Sequence, residues 1–280
     1  MAEPYYQDEQ VTLLLGDARE VLCTLPDTSV DCIVTSPPYY GLRDYGTPGQ
    51  YGLEPTPAAY VETMRSVFAE ARRVLADDGT LWLNLGDSYY SAKGRPHGAD
   101  AKQIARRGFL RPLDGPGLGF PRKSLLMVPA RVAIALQDDG WTLRSEITWR
   151  RTTAVPEPTA KDRPWRTTER LFMFVKQPRY WFNRAPLAGA EDMWTIEPDR
   201  SAESNGHAAP FPIGLPSRCI QAGCRPGGTV LDPFSGSGTT GAAARHLDRR
   251  YIGIDLNATY HDLAKTRFAQ TSLFFDAEPA

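Results

Sequence analysis

Two short segments hold residue types arranged for chemistry. In Thr35-Ser36-Pro37-Pro38-Tyr39-Tyr40 the two prolines fix the backbone and leave a hydroxyl, a carbonyl and an aromatic face together. The Ser36 hydroxyl and the Pro37 carbonyl can accept both hydrogens of an exocyclic amino group, and Tyr39 offers a stacking face for a planar base. Taken alone, a Pro-Pro-Tyr turn is more often a structural element or a partner ligand. The second segment, Asp232-Pro233-Phe234-Ser235-Gly236-Ser237-Gly238-Thr239-Thr240-Gly241, changes that balance. Its glycines permit a tight turn and a close ligand approach, and a helix beginning there supplies free N–H groups. Asp255, ending the next apolar run, places a carboxylate where ribose hydroxyls can donate to it. Adenosine binding beside an amino-group acceptor suits methylation of an amino nitrogen.

Two other nucleotide chemistries fit less well. Gly236-x-Gly238-x-x-Gly241 satisfies the dinucleotide fingerprint, a weak signal by itself. Only 25 residues follow Asp255, too few to complete a doubly wound sheet from this unit onward, so the remaining strands are expected upstream. No lysine follows the glycines, which excludes a P-loop.

The elements that must hold these segments read as strands alternating with helices. Strands are expected at Val11 to Leu15, Val30 to Thr35, Leu81 to Leu85, Trp141 to Trp149, Leu171 to Val175, Thr229 to Asp232 and Tyr251 to Asp255, with a weaker one at Tyr180 to Phe182. The Val30 to Thr35 strand must stop at Pro37-Pro38. Helices fit Ala18 to Leu25, Pro57 to about Ala76, Pro129 to Leu136, Thr239 to Leu247 and Thr259 to Gln270. Thr56 is the expected cap of the second, and Gly79 is expected just beyond its end. The alternation predicts an α/β fold with a mostly parallel twisted sheet flanked by helices.

Length and composition bound the rest. With 280 residues, 41% hydrophobic and 23% charged, the chain suits one enlarged domain over residues 1–280, without an apolar run long enough for a membrane span. The polar, acidic start gives no secretory signal, so the reading is cytoplasmic, with Cys23, Cys32, Cys219 and Cys224 reduced and no zinc spacing among them. A net charge of -1 makes no case for a nucleic-acid partner in bulk. The Gly- and Pro-rich stretch 88–124 does so locally, with eight basic residues, among them Lys93, Arg95, Arg106, Arg107, Arg122 and Lys123, against two acidic ones, a local +6. It reads either as a solvated loop or as a phosphate-contacting arm. Segment 184–207 is a second candidate recognition segment. Arg150, Arg151, Arg163 and Arg166 are taken as solvated or ion-paired, with phosphate contact the alternative, and Trp149, Trp165 and Trp181 as core rather than base wedges.

At this point the sequence resembles a family, the DNA amino-methyltransferases that use S-adenosylmethionine, in the circularly permuted motif order called the beta class. In that class the catalytic tetrapeptide comes early and the cofactor loop late, as Thr35 to Tyr39 and Asp232 to Thr240 do here. Leu15-Gly16-Asp17, Leu81 to Tyr89, Pro156-Glu157 to Pro164 and Phe211-Pro212 extend the likeness over nearly the whole chain. The resemblance implies a Rossmann-like methyltransferase fold. It implies that Ser36, Pro37, Pro38 and Tyr39 carry the reaction, and that Thr35 and the loop residues Asp232, Pro233, Phe234, Ser235, Gly236, Ser237, Gly238, Thr239 and Thr240 form the cofactor site. Asp255 and Leu256 would hold the ribose end, Asp17 the adenine amino group and Phe211-Pro212 the amino-acid end of the cofactor. For Asp17 a helix N-cap is the equal alternative.

A base inside a duplex hides its amino group, so the target is expected to flip into a pocket beside Tyr39. The nitrogen would attack the sulfonium methyl directly, with no protein nucleophile and no metal. Methylation of cytosine carbon 5 needs a Pro-Cys context, and none of the four cysteines follows a proline. Serine in first position of the tetrapeptide favours cytosine N4, and adenine N6 is the alternative. The implied partner is double-stranded DNA; the family allows a homodimer. An N6-adenine enzyme, a non-catalytic DNA-binding module, a nicotinamide oxidoreductase and a methyltransferase of RNA or protein amides are the competing readings. A place in a restriction-modification system, a phage or a solitary regulator is left open.

Overall fold

Runs of β-branched residues and leucine make the strands, and alternate residues in each run face opposite layers of helices. The computed structural model describes residues 3–90, 118–152, 160–189, 191–197 and 211–274. Its strands are β1 (Tyr6–Gln7), β2 (Val11–Leu15), β3 (Val30–Thr35), β4 (Leu75–Leu85), β5 (Thr142–Arg151), β6 (Thr168–Val175), β7 (Met193–Ile196), β8 (Thr229–Asp232) and β9 (Arg250–Asp255). Its helices are α1 (Ala18–Leu22), α2 (Pro57–Val74), α3 (Val128–Asp138), α4 (Gly214–Gly223), α5 (Thr239–His246) and α6 (Ala258–Phe274).

Among the described residues the strands form one nine-stranded sheet in the order β1-β2-β9-β8-β3-β4-β6-β5-β7. Pairing from β2 through β9, β8 and β3 to β4 is parallel throughout. β6 runs antiparallel between β4 and β5, so its amino end lies at the same sheet edge as the carboxyl ends of the parallel strands; the two-residue β1 is also antiparallel, to β2. The sheet is mostly parallel, as the alternation of strands and helices predicts.

Both faces are covered, which is why the central strands read as continuous apolar runs. Ile33, Leu81, Leu83, Leu85, Phe172 and Phe174 pack with α1, α2 and α3, whereas Cys32, Val34, Trp82, Met173 and Val175 pack with α4, α5 and α6. Cys32 is fully buried, in keeping with its reading as a small hydrophobe, and all four cysteines are free.

Several expectations need correction. The second helix, capped by the Thr56 hydroxyl on the Ala59 N–H, ends at Val74 rather than Ala76. Gly79 is then not a helix stop but part of β4, where a Cβ would lie 2.7 Å from the Asp31 carbonyl. Tyr180 to Phe182 is not a strand; Trp181 makes one backbone bond, to the Asp78 carbonyl. β1, β7 and α4 were not predicted. β7 has only four residues with Met193 and Thr195 outward, and α4 opens Gly-Leu-Pro-Ser, a loop-like composition. No helix among the described residues is long and apolar enough to cross a membrane.

Candidate active site

The carboxyl ends of β8, β9, β3 and β4 meet the amino end of β6 and the end of β5 above one rim of the sheet, and the pocket lies there. Its walls include Ser36, Pro37, Pro38, Tyr39, Asn84, Trp149, Arg151 and Glu169 on one side, and Pro233, Phe234, Ser235, Gly236, Ser237, Thr239, Asp255, Leu256 and Asn257 on the other. Its volume is about 340 Å³. The two predicted segments, about two hundred residues apart in the chain, therefore face a single cavity.

The catalytic loop is pinned from three directions. Thr35, at the end of β3, donates through its hydroxyl to Asp232 Oδ1 at 2.7 Å. The Pro38 carbonyl accepts from the Tyr60 hydroxyl of α2 at 2.8 Å. The Tyr39 hydroxyl donates to Glu169 Oε2 at 2.6 Å and lies 2.8 Å from Asn84 Oδ1. Burial and the Glu169 carboxylate push the Tyr39 phenol well above its ordinary pKa, so it stays a donor. Ser36 Oγ sits 3.2 Å from Asn84 Oδ1 and 3.3 Å from Tyr39 Oη. Among the described residues no donor reaches the Pro37 carbonyl, which is left as an acceptor beside the Ser36 hydroxyl.

The glycine loop is built on a buried carboxylate. Asp232 accepts from the hydroxyls of Thr35 and Thr240 and from the Phe234 N–H, and so ties β8, β3 and α5 together. Thr35, Asp232 and Thr240 thus lie beneath the pocket and hold its floor; they do not line it. Gly238 is also behind the wall, at φ 76°, where a Cβ would meet Ala264 at 2.8 Å. Asp255 faces the pocket with Oδ2 accepting from the Gly236 N–H and Oδ1 from the Asn257 N–H, both at 2.8 Å. Each oxygen retains lone-pair capacity for a hydroxyl donor.

Burial pushes the Asp232 carboxyl up from 3.8 to about 6, against the hydrogen bonds that lower it. A carboxyl that titrates higher folded than unfolded binds its proton more tightly in the folded state. Stability contributed by that proton is therefore present at low pH and lost as pH rises from 3.8 through about 6. Asp232→Asn removes this titration, and thermal unfolding at steps across the window is expected to show a flatter profile than the wild type.

Other predicted residues divide. Phe211 and Leu256 line the pocket, whereas Pro212 does not. Asp17 is the N-cap of α1, accepting from the Arg19 and Glu20 N–H groups, and its second oxygen accepts from the Tyr51 hydroxyl at 2.6 Å. The cap alternative is thus realised, and Gly16 and Ala18 beside it face the cavity. Lys93, Arg95, Arg106 and Arg107 lie outside the described residues, as do residues 190 and 198–207 of segment 184–207. Arg122 is exposed, and Lys123 is exposed but paired with Asp162. Trp149 is buried as expected, but Trp165 is half exposed and so not core.

Sequence reading missed the rest of the wall. Asn84 was hidden as the one amide in an apolar strand, Leu81-Trp82-Leu83-Asn84-Leu85, which is itself a signal. Arg151, read as solvated or ion-paired, is indeed paired with Glu169 but was not read as part of a cavity, and Glu169, Tyr45, Gln50, Tyr51 and Tyr260 gave no such sign. Tyr51 meets Phe234 edge-on with ring centroids 5.4 Å apart, and Tyr45 meets Tyr260 at 6.4 Å, so the 41–52 loop is joined to the glycine-loop side by aromatic contacts.

Comparison with known proteins agrees with this geometry. A family described as DNA methylase matches residues 30–266. The chain is 45% identical to the type II methyltransferase M.Cfr9I of Citrobacter freundii over 91% of this chain and 87% of that protein. It is 42% identical to M.SmaI of Serratia marcescens over 91% and 89%. In fold it is similar to the PvuII DNA methyltransferase, described as cytosine-N4-specific, at a TM-score of 0.75 and 22% identity over 95% of this chain and 89% of that one. A putative DNA modification methylase of Thermus thermophilus, solved with S-adenosyl-L-methionine, superimposes at 0.66 with 26% identity over 92% and 93%. The chain is a DNA methyltransferase and belongs to the N6/N4 DNA methylase family.

Proposed function

We propose that the protein transfers a methyl group from S-adenosylmethionine to the N4 amino group of a flipped cytosine at a specific site in duplex DNA, and that it is of the permuted, beta-class arrangement. One observation carries this reading: Ser36 and Pro37 line the same cavity as Asp255 and the glycine loop. The cofactor fits the second half of that cavity. Asp255 would hold the ribose hydroxyls, Phe211 and the loop backbone the methionine end, and the cofactor supplies an electrophilic methyl group. Phe234 and Tyr39, both in the wall, offer aromatic faces to a sulfonium, worth about 0.5–2 kcal/mol.

The chain's own part is to hold and shape the nucleophile. An aromatic amino nitrogen is planar because its lone pair is delocalised into the ring. Donating both hydrogens to Ser36 Oγ and the Pro37 carbonyl favours a tetrahedral nitrogen whose lone pair points at the methyl carbon. Methyl transfer to that nitrogen would leave the donor's sulfur as a neutral thioether, and the nitrogen would then give one proton to solvent. No covalent enzyme intermediate is needed, and no group of three or more potential metal ligands is found among the described residues.

Duplex contact is assigned to the basic stretch 88–124. Its two ends are tied side by side: the Lys123 N–H donates to the Tyr90 carbonyl, and the Tyr90 N–H to the Ser124 carbonyl. They root beside the catalytic loop, where the Ser88 hydroxyl donates to the Tyr40 carbonyl at 2.9 Å. Arg163 lies 3.9 Å over the Tyr89 ring there, with Arg166 bonded to the Asp87 carbonyl. The type II names of the relatives agree with a site-specific modification enzyme.

Gly86 shows how closely the Tyr39 ring is held, since a Cβ there would collide with Tyr39 Cε2 and lie 2.6 Å from Cδ2. Gly86→Ala is expected to displace that ring and slow methyl transfer by about 100-fold, the scale of an ångström of misplacement. Cofactor affinity should stay at its wild-type value, which titration beside steady-state kinetics checks. The reading as a whole is tested by expressing the protein in a methylation-free host and sequencing the DNA for modified bases. Cytosines modified within one short motif are expected; unmodified DNA from cells that accumulate folded protein contradicts it.

A further inference from the structure

The geometry points to Arg151, held in place by Glu169, as the group that reads the ring edge of the flipped base and selects cytosine. This rests on the proposed reaction and deepens it. Across the sheet rim, the cofactor half of the pocket stands over β9 and β8, and Ser36 follows at the end of β3. Beyond Ser36 come Asn84 of β4, Glu169 of β6, and Trp149 and Arg151 of β5, all lining the same cavity. A base whose amino group rests on Ser36 and faces the cofactor must lie over these last strands.

Each side-chain acceptor of this wall already has at least one donor. Asn84 Oδ1 lies within hydrogen-bond distance of Ser36 and Tyr39, Glu169 Oε2 takes the Tyr39 hydroxyl, and Glu169 Oε1 pairs with Arg151 Nη1 at 3.3 Å. Donors are in surplus. Arg151 spends one Nη2 hydrogen on the Arg166 carbonyl at 3.0 Å. Each terminal nitrogen carries a second hydrogen. The Arg151 Nε–H and the Trp149 indole N–H have no hydrogen-bond partner among the described residues, but both are buried, so the second hydrogens of Nη1 and Nη2 are the ones left for a ligand. Arg151 is about one-third exposed, whereas Glu169, at 14%, is an inner anchor.

A donor-rich wall with a forked guanidinium fits a ligand edge bearing two adjacent acceptors. Next to its amino group, cytosine presents N3 and then O2, both acceptors. Adenine presents N1 and then a C–H. Arg151 can satisfy both cytosine acceptors at once and only one of adenine, which is a basis for choosing the base at a position where Ser36 and Pro37 treat the two amino groups alike. Glu169 and the Arg166 carbonyl fix the plane of the fork, and Glu169 also fixes Tyr39. Glu169 is therefore a positioning residue for both.

The test uses the full chain, S-adenosylmethionine, and two duplexes that carry the mapped site with either cytosine or adenine at the target position. Arg151→Lys and Arg151→Met are expected to lower kcat/KM on the cytosine duplex by about 10- to 150-fold, the range for one bidentate base contact. The adenine duplex should lose far less, so that the preference for cytosine collapses. Cofactor affinity and thermal unfolding should match the wild type. The salt dependence of DNA binding should keep its slope, because a phosphate contact would lower it by about one. Glu169→Gln, which keeps an acceptor for Tyr39 but loses the charge holding Arg151, should show a smaller fall of the same selective kind. Equal losses on both duplexes, a reduced salt slope, or unchanged kinetics in the Arg151 variants would overturn the assignment while leaving N4 methylation intact. N6-methyladenine as the wild-type product would overturn the proposed reaction and this inference together.

Discussion

Ser36→Ala is expected to lower the rate of methyl transfer by about 100- to 1,000-fold, the scale of losing one preorganised polar contact to a developing charge. The substitution removes an acceptor and nothing that holds the fold. Among the described residues Ser36 Oγ is hydrogen-bonded only to Asn84 and Tyr39, while the loop stays pinned through Thr35 to Asp232 and through Pro38 to Tyr60. Cofactor affinity and unfolding temperature should therefore match the wild type, and the loss should appear in kcat. Rapid-quench single-turnover measurement of labelled methyl transfer, beside a cofactor titration, separates the two. A variant that loses cofactor binding along with activity would show that Ser36 supports the pocket rather than the reaction.

Asp255→Ala has the second large effect and the opposite signature. Hydrogen bonds to a charged acceptor contribute about 1.5–3 kcal/mol each, so losing the ribose contact should raise the cofactor dissociation constant by about 10- to 100-fold. The side chain also takes the Gly236 and Asn257 N–H groups, so its removal loosens the turn that shapes the glycine loop. Because none of this touches the amino acceptor, saturating cofactor should restore most of kcat. Calorimetric titration and kinetics at rising cofactor concentration check both parts. A lowered kcat at saturation would place Asp255 nearer the reacting atoms than its position at the end of β9 allows.

The difference between these variants follows from the sheet. Strands β2, β3 and β8 were legible because each is short, apolar and followed within two residues by Gly or Pro, and the Pro37-Pro38 stop placed the catalytic loop at a strand's carboxyl end. β7 and α4 were not, since the first is an edge strand with half its residues outward and the second begins with glycine and holds proline in its first turn. The same logic divides the site. Ser36, Pro37, Tyr39, Gly236 and Asp255 sit in contiguous segments whose spacing carries meaning on its own. Arg151 and Glu169 become neighbours only through the antiparallel insertion of β6 between β4 and β5, where Trp149 pairs with Glu169. Nothing in the local sequence marks a charged pair formed that way. Asp232, Thr35 and Thr240 show the converse. They belong to motifs that read as cofactor contacts, yet fold beneath the pocket as its buried brace.

The measurement that bears most directly on the central claim is the identity of the methylated nucleoside. Purified protein is incubated with isotopically labelled S-adenosylmethionine and unmethylated duplex DNA, the DNA is digested to nucleosides, and the label is located by mass spectrometry. Label is expected in N4-methylcytosine, and is expected to be absent from the Ser36→Ala reaction. Label in N6-methyladenine or 5-methylcytosine would contradict it.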